Sequence, residues 1–120
     1  MKTNKISYSF KNAFAGMGYF FMHERNGRIQ LIIGLLTAIT GMLLQISRHE
    51  WIVILLCIGA VLSAEMMNSA IEKLCNHIQP SFHIQIKIVK DLAAGAVLFI
   101  SIISALIGVF IFIPKIYQLL

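Results

Sequence analysis

Four polar residues interrupt a long apolar stretch of the chain: Glu65, Asn68, Ser69 and Glu72. In type and spacing, these side chains are the best suited in the chain to catalysis or metal binding. On an α-helix their side chains fall within an arc of about 100°, so they form one polar face, which we call the carboxylate face. Asn76 extends it by another turn. Carboxylates gathered in this way, with Glu24 as a third, suggest a hard cation such as Mg²⁺, which takes oxygen ligands and usually brings phosphate with it.

A second group of interest stands before the last apolar run, where Lys90 and Asp91 are followed by small residues from Ala93 to Ala96. Small residues let helix backbones approach one another closely in a membrane. We therefore expect this helix to pack tightly against the one that carries the carboxylate face. Such packing would bring Lys90 close to that face.

The elements that position these residues are predicted to be membrane helices, because 58% of the 120 residues are hydrophobic and only 12% are charged. Three runs lack any charge, at 29–47, 51–64 and 92–114. A helix needs about 20 apolar residues to cross a bilayer. The middle run reaches that length only if it continues through Glu65, so we predict spans at 29–47, 51–71 and 92–114. The carboxylate face then begins inside the second span and ends at its boundary with Glu72.

The distribution of basic residues predicts the orientation of these spans. Five precede the first span and three lie between the second and the third, whereas the other two loops hold only Arg48 and Lys115. By the positive-inside rule, the N-terminus and the second loop face the cytoplasm. The net charge of +5 is then explained by topology and by anionic lipid, and we expect no nucleic-acid partner.

The segment before the first span has a helical stripe of apolar residues, namely Ile6, Phe10, Phe14, Met17 and Phe21. A helix with such a face favours the membrane surface, although the stripe could also pack on the other helices. Gly27 is a predicted break after it, and Ser81 is a predicted cap of the last helix. The fold prediction is an all-α membrane protein of one domain, 1–120, with a surface helix and cytoplasmic segment at 1–28 and three transmembrane helices.

The charged residues also have a purely structural interpretation. Glu65 and Glu72 could pair with lysine or arginine to hold the bundle together, and Asp91 could pair with Lys87 four residues before it. A face of carboxylates within a membrane nevertheless favours a functional site. The chain contains no G-x-x-x-x-G-K-[ST], G-x-G-x-x-G or H-E-x-x-H motif, which argues against the nucleotide and zinc sites of soluble proteins.

Three segments together resemble the prokaryotic diacylglycerol kinase family, which includes the undecaprenol kinases. They are EMMNSAIE at 65–72, KDLAAGAV at 90–97 and ERN at 24–26. The resemblance extends from about Ser9 to Leu98, with the third span following in register. It implies a surface helix with three transmembrane helices per chain, a homotrimer, and the phosphorylation of a membrane lipid alcohol by Mg²⁺-ATP.

The resemblance also implies roles for individual residues. Glu65 would be the general base and, with Ala94, would contact the lipid, while Asn68 would position the reacting groups. Glu24 and Glu72 would hold the metal. The nucleotide would contact Lys90, Asp91, Lys5, Asn12, Ser81, Phe82 and His83. The chain departs from the family pattern at Asn76, where some members have an aspartate, and at Asn12, where an aromatic residue can contact the base.

Two functional hypotheses follow. The first is a lipid kinase of the bacterial cytoplasmic (inner) membrane, acting at the cytoplasmic face on either diacylglycerol or undecaprenol. The second is a small multi-pass transporter or ion-relay subunit that uses the acidic face of the second span. A phosphate site needs cationic and metal-binding groups at one membrane face, whereas a relay needs acids distributed through its depth. The sequence places Glu24, Glu65, Glu72 and Asp91 towards the same face, which favours the kinase.

Overall fold

Four α-helices make up the structure, a computed structural model that describes residues 5–120. They are α1 (Lys5–His23), α2 (Arg25–Leu44), α3 (Arg48–Ile78) and α4 (Ile84–Leu119). The described residues contain no β-strand. Helices α2, α3 and α4 are each long and apolar enough to cross a membrane. The predicted all-α fold, with one N-terminal helix ahead of three spans, is confirmed.

Two of the helices are longer than a bilayer requires. Helix α3 has 31 residues and α4 has 36, which at 1.5 Å per residue correspond to about 46 Å and 54 Å. The hydrocarbon core is about 30 Å thick. The two helices therefore continue beyond the predicted spans 51–71 and 92–114 as a helical hairpin, closed by residues 79–83. The carboxylate face lies where α3 passes from the predicted span into this hairpin.

Helix α3 is the central element, because it packs extensively along α4 and also against α2. The buried apolar residues are few: Phe20, Ile46, Ile54, Val61, Cys75 and Val97. Most of the large apolar side chains of the three spans lie on the outside. An apolar surface of this kind is typical of helices in a lipid bilayer, where apolar side chains can face the lipid tails and need not be buried in a protein core.

Three buried glycines spaced seven residues apart form a seam along α2: Gly27, Gly34 and Gly41. A Cβ atom at Gly34 would lie 3.1 Å from Cγ2 of Ile58, which belongs to α3. A Cβ atom at Gly27 would lie 2.7 Å from the ring of Phe20, which belongs to α1. The absence of side chains along this seam lets α2 approach both neighbouring helices closely.

The turn between α2 and α3 is fixed by local hydrogen bonds. Gln45 adopts the left-handed conformation with φ 53°. The Glu50 backbone amide donates to Ser47 Oγ at 3.2 Å, and the Ser47 amide donates to Glu50 Oε1 at 2.8 Å. This reciprocal pair satisfies amides that the first turn of α3 would otherwise leave free. Lys115 Nζ lies 3.5 Å from Glu50 Oε1 and ties α4 to α3 at the same end.

The predicted break at Gly27 is wrong. The chain leaves helical geometry at Glu24, with φ −102° and ψ 117°, and α2 begins at Arg25. Gly27 lies inside α2, where it accommodates the ring of Phe20. Phe20 is also the buried residue of α1, whereas Ile6, Phe10 and Phe14 of the predicted stripe are exposed. The first three residues of the apolar stripe therefore do not pack on the other helices of the same chain, whereas Phe21 at its end is half-buried.

The predicted cap of the last helix is also wrong. His83, rather than Ser81, precedes α4, and its Nδ1 accepts a hydrogen bond from the Gln85 amide at 3.2 Å. Ser81 Oγ instead accepts from Gln79 Nε2 at 2.9 Å, within the loop. Ser81 and His83 can both cap a helix and lie two residues apart. The path of the loop places His83, rather than Ser81, at the start of α4.

Candidate active site

Glu65 is the only buried charged or polar residue among residues 5–120, with 5% of its surface exposed. Its Oε2 atom has no hydrogen-bond partner, and none of the ion pairs of the described residues includes it. The alternative that Glu65 pairs with a lysine or arginine is therefore wrong for this chain. A buried carboxyl group without a partner destabilises a fold, so its presence in a membrane helix points to a functional role.

The rest of the carboxylate face becomes more exposed along α3. Asn68 and Ser69 are half-buried, and Glu72 is exposed. Glu65 and Glu72 are seven residues apart, so about 10 Å of helix separates them. The face thus runs from a buried carboxyl group to an accessible one as α3 enters the hairpin.

Glu24 reaches this part of α3 through an ion pair with the residue next to Glu72. Lys73 Nζ lies 3.0 Å from Glu24 Oε1 and 5.3 Å from the centroid of the Tyr19 ring. Tyr19 in turn stacks on His23, with ring centroids 4.3 Å apart. The end of α1, the start of α2 and the Glu72 turn of α3 therefore meet at one place.

The carboxylate oxygens of Glu24 and Glu72 are of the type that Mg²⁺ takes as ligands. Among residues 5–120, no group of three or more His, Cys, Asp or Glu side chains could hold a metal ion. Mg²⁺ is usually bound by one or two carboxylates together with substrate phosphates, rather than by a cage of protein ligands. Glu24 and Glu72 are two carboxylates of this kind, on adjoining parts of the fold.

Lys90 lies beside the carboxylate face, as predicted, but the expected tight packing of the small residues is wrong: Ala94, Gly95 and Ala96 are exposed, and a Cβ atom at Gly95 would meet nothing within 4 Å. Its Nζ donates a hydrogen bond to Asn76 Oδ1 at 2.6 Å, which joins α4 to α3 one turn beyond Glu72. Asp91 accepts from Lys87 Nζ at 2.6 Å, and this i,i+4 ion pair confirms the pairing predicted from the spacing. The two lysines of this part of α4 thus have different partners, one neutral and one charged.

A hollow of about 350 Å³ lies at the turn of the hairpin. Its lining residues are Gln79, Pro80, Ser81, Phe82, His83, Ile86, Lys87, Lys90 and Asp91. We call it the loop hollow. Five of these residues, at positions 81–83, 90 and 91, were predicted to contact the nucleotide, and the fold brings them together. The Phe82 side chain is 77% exposed and therefore accessible to a ligand.

The remaining predicted site residues lie elsewhere. Lys5 and Asn12 are exposed on the first half of α1 and do not line the loop hollow. Ala94 is exposed on α4, four residues after Lys90 and so on the same side of the helix. The structure does not bring Lys5 and Asn12 to the site formed by α3 and α4.

A second cavity, of about 370 Å³, lies between α2, α3 and α4 in the predicted membrane region. On α3 its lining extends from Ile54 to Val61 and Leu62. The last two residues precede Glu65 by one helical turn. A mostly apolar space therefore begins directly below the buried carboxyl group.

Sequence reasoning missed Lys73 and Tyr19 as residues of this region. Lys73 directly follows Glu72, and Tyr19 precedes His23 by four residues. The sequence therefore shows that each lies close to a polar residue of the same helix. What the sequence does not reveal is that Glu24 folds back onto α3, because that contact depends on how α1 and α2 pack.

Comparison with known proteins identifies the family of the chain. A sequence model of prokaryotic diacylglycerol kinase matches residues 11–112. An undecaprenol kinase of Bacillus subtilis is 38% identical over 112 residues, which cover 93% of this chain and 91% of that protein. A diacylglycerol kinase of Synechocystis sp. is 33% identical over 113 residues, which cover 93% of this chain and 65% of that protein. The chain therefore belongs to the prokaryotic diacylglycerol kinase family and is a lipid kinase.

Proposed function

We propose that the protein transfers the γ-phosphate of ATP to the hydroxyl group of a membrane lipid alcohol, with Mg²⁺, at the cytoplasmic face of the bacterial inner membrane. The observation that carries the proposal is the buried carboxyl group of Glu65, which lacks a partner and lies on the same helical face as Glu72. Lys90 and the loop hollow lie further along the same hairpin. The proposal therefore assigns a base, metal ligands and cations to one membrane boundary.

In the proposed reaction, Glu65 takes the proton of the lipid hydroxyl. The hydroxyl oxygen forms a bond to the γ-phosphorus as the bond from that phosphorus to the bridging oxygen of ADP breaks. Phosphoryl transfer of this kind depends on positioning and charge neutralisation more than on covalent chemistry with the protein. Asn68, one turn from Glu65 on the same face, positions the reacting groups.

The nucleotide is assigned to the loop hollow and the adjoining turn of α3. Lys90, with Asp91, binds and orients the phosphates, and the exposed ring of Phe82 is available to the base. Glu24 and Glu72 would hold Mg²⁺, which would supply charge neutralisation for the phosphates. Ser81 and His83 complete the wall of the hollow. Lys5 and Asn12 on α1 remain weaker candidates because they lie outside it.

The lipid is assigned to the membrane side of Glu65. The cavity below Val61 and Leu62 is mostly apolar and suits part of a hydrocarbon chain. Ala94, one turn past Lys90, leaves room beside α4 for the head of the lipid. A lipid whose hydroxyl reaches Glu65 would therefore keep its chain in apolar surroundings.

Assembly as a homotrimer is part of the proposal. A single thin bundle can hardly enclose both substrates, and Glu72 and Asp91 are exposed in one chain. Many large apolar residues of the spans are also exposed. A neighbouring chain could cover part of this surface and complete the site.

Undecaprenol is the acceptor that we propose first. The relative named undecaprenol kinase is more similar and is covered over 91% of its length, whereas the chain spans 65% of the relative named diacylglycerol kinase. Diacylglycerol is the competing acceptor. The ion-relay alternative is disfavoured because four of the five acids, at positions 24, 65, 72 and 91, lie towards the hairpin end of the bundle. The fifth, Glu50, lies at the opposite end and is engaged by Lys115.

The experiment that tests this function is transfer of labelled γ-phosphate from Mg²⁺-ATP by the purified protein in mixed micelles. Undecaprenol and diacylglycerol are offered separately and in competition. Label that accumulates first on undecaprenol supports the proposal, and preferential labelling of diacylglycerol would replace the acceptor. A folded protein that labels neither lipid would contradict the proposed reaction.

A further inference from the structure

We propose that Lys73 is a positioning residue, which holds the Glu24 carboxylate and the end of α1 against the α3 turn that carries Glu72. The inference rests on the proposed function, in which Glu24 and Glu72 hold the metal. Lys73 itself would touch neither the metal nor the substrates.

The contact between Lys73 and Glu24 leaves part of the carboxylate available. Lys73 Nζ lies 3.0 Å from Oε1, and no hydrogen bond or ion pair of the described residues engages Oε2. A carboxylate has two oxygens and can serve a cation through one while the other accepts from a lysine. The ion pair therefore fixes the orientation of Glu24 and keeps one oxygen for the metal.

Glu24 needs such an anchor because it lies between two helices and belongs to neither. Its backbone is extended, with φ −102° and ψ 117°. Its amide donates to the Phe20 carbonyl at 2.9 Å, which fixes the backbone but not the side chain. Lys73 supplies the side-chain contact, which ties the Glu24 carboxylate to the turn of α3 that also carries Glu72.

The same lysine also holds the end of α1. Its Nζ lies 5.3 Å from the centroid of the Tyr19 ring, within the range of a cation–π interaction. The stacking of Tyr19 on His23 extends this contact to the last residue of α1. One ammonium group thus links three helices at the point where the metal would bind.

This role is geometric rather than a matter of overall stability. The Lys73 side chain is 53% exposed, and exposed ion pairs contribute little to folding. Groups that orient a metal ligand nevertheless alter metal affinity strongly, commonly by about 10- to 100-fold. Loss of Lys73 should therefore weaken metal binding while leaving the fold intact.

The test compares Lys73→Met, Lys73→Arg and Lys115→Met with the wild type. Lys115→Met is the matched control, because Lys115 also pairs with a glutamate across two helices but at the opposite end of the bundle. Binding of Mn²⁺ in the presence of a non-hydrolysable ATP analogue is measured from the decrease of the free-ion EPR signal. We expect the dissociation constant of Mn²⁺ to rise about 10-fold in Lys73→Met, to stay close to the wild type in Lys73→Arg, and to be unchanged in Lys115→Met.

A second comparison asks whether Lys73 acts through Glu24. In a Glu24→Gln background, Lys73→Met should weaken Mn²⁺ binding no further, since coupled residues are not additive. Wild-type affinity in Lys73→Met, or an equal loss in both backgrounds, would overturn the inference and leave the kinase proposal intact. Absence of both Mn²⁺ binding and phosphate transfer in the folded wild type would overturn the inference and the proposed function together.

Discussion

Lys90 Nζ donates to Asn76 Oδ1 at 2.6 Å and so joins α4 to α3 one turn beyond Glu72. The acceptor is a neutral carboxamide, so the ammonium group is oriented without being neutralised. A carboxylate at this position would compete with phosphate for the lysine. The asparagine that departs from the family pattern therefore leaves Lys90 available to an anion at the edge of the loop hollow.

Removal of this cation should impair the use of ATP. A hydrogen bond to a charged group contributes about 1.5–3 kcal/mol, so Lys90→Met should lower kcat/KM for ATP roughly 10- to 150-fold. Steady-state kinetics at saturating lipid measures the effect, with Lys115→Met as the matched lysine control. Unchanged apparent ATP affinity and turnover in Lys90→Met would reject its assignment to phosphate.

The two proposed metal ligands should control the magnesium requirement. Glu24→Gln and Glu72→Gln should each raise the Mg²⁺ concentration for half-maximal transfer by at least about 10-fold. Mutation of residues that only hydrogen-bond to a metal ligand already lowers metal affinity by about 10-fold or more. Glu50→Gln is the control, since Glu50 caps α3 at the far end and pairs there with Lys115. A Mg²⁺ dependence that is the same in all three variants would remove the metal assignment.

The seam of α2 should tolerate no side chain at Gly27. A Cβ atom there would lie 2.7 Å from the Phe20 ring, whereas a Cβ atom at Gly16 meets nothing within 4 Å. Overpacking costs about 1–3 kcal/mol, and replacing a helical glycine by alanine gains about 1 kcal/mol. Gly27→Ala should therefore lower the midpoint of thermal unfolding in detergent, and Gly16→Ala should raise it. Equal midpoints for the two variants would show that Phe20 moves aside freely.

Much of the fold could be predicted because hydropathy and charge act locally. Uncharged runs identified the three spans, and helical periodicity placed Glu65 and Glu72 on one face. The spacing of Lys87 and Asp91 also predicted their ion pair, since residues four apart are neighbours on a helix. These features depend on one helix at a time.

The features that could not be predicted depend on contacts between helices. Gly27 signalled a break, but the ring of Phe20 from α1 occupies the space beside it and α2 continues. From the sequence, Lys73 is one of the three basic residues between the second and third spans. Only the fold shows that it forms an ion pair with Glu24. The choice of His83 over Ser81 as the cap likewise depends on the path of the loop.

The measurement that tests the central claim most directly compares phosphate transfer to the lipid by the wild type and by Glu65→Gln, at matched protein concentration and saturating Mg²⁺-ATP. Loss of a general base costs about 10²- to 10⁴-fold in rate, so we expect a decrease in kcat of at least about 100-fold. Binding of the ATP analogue should persist, and the thermal midpoint should stay equal or rise, because an unpartnered buried carboxyl group has been removed. A Glu65→Gln variant that transfers phosphate at the wild-type rate would contradict the assignment of Glu65 as the base.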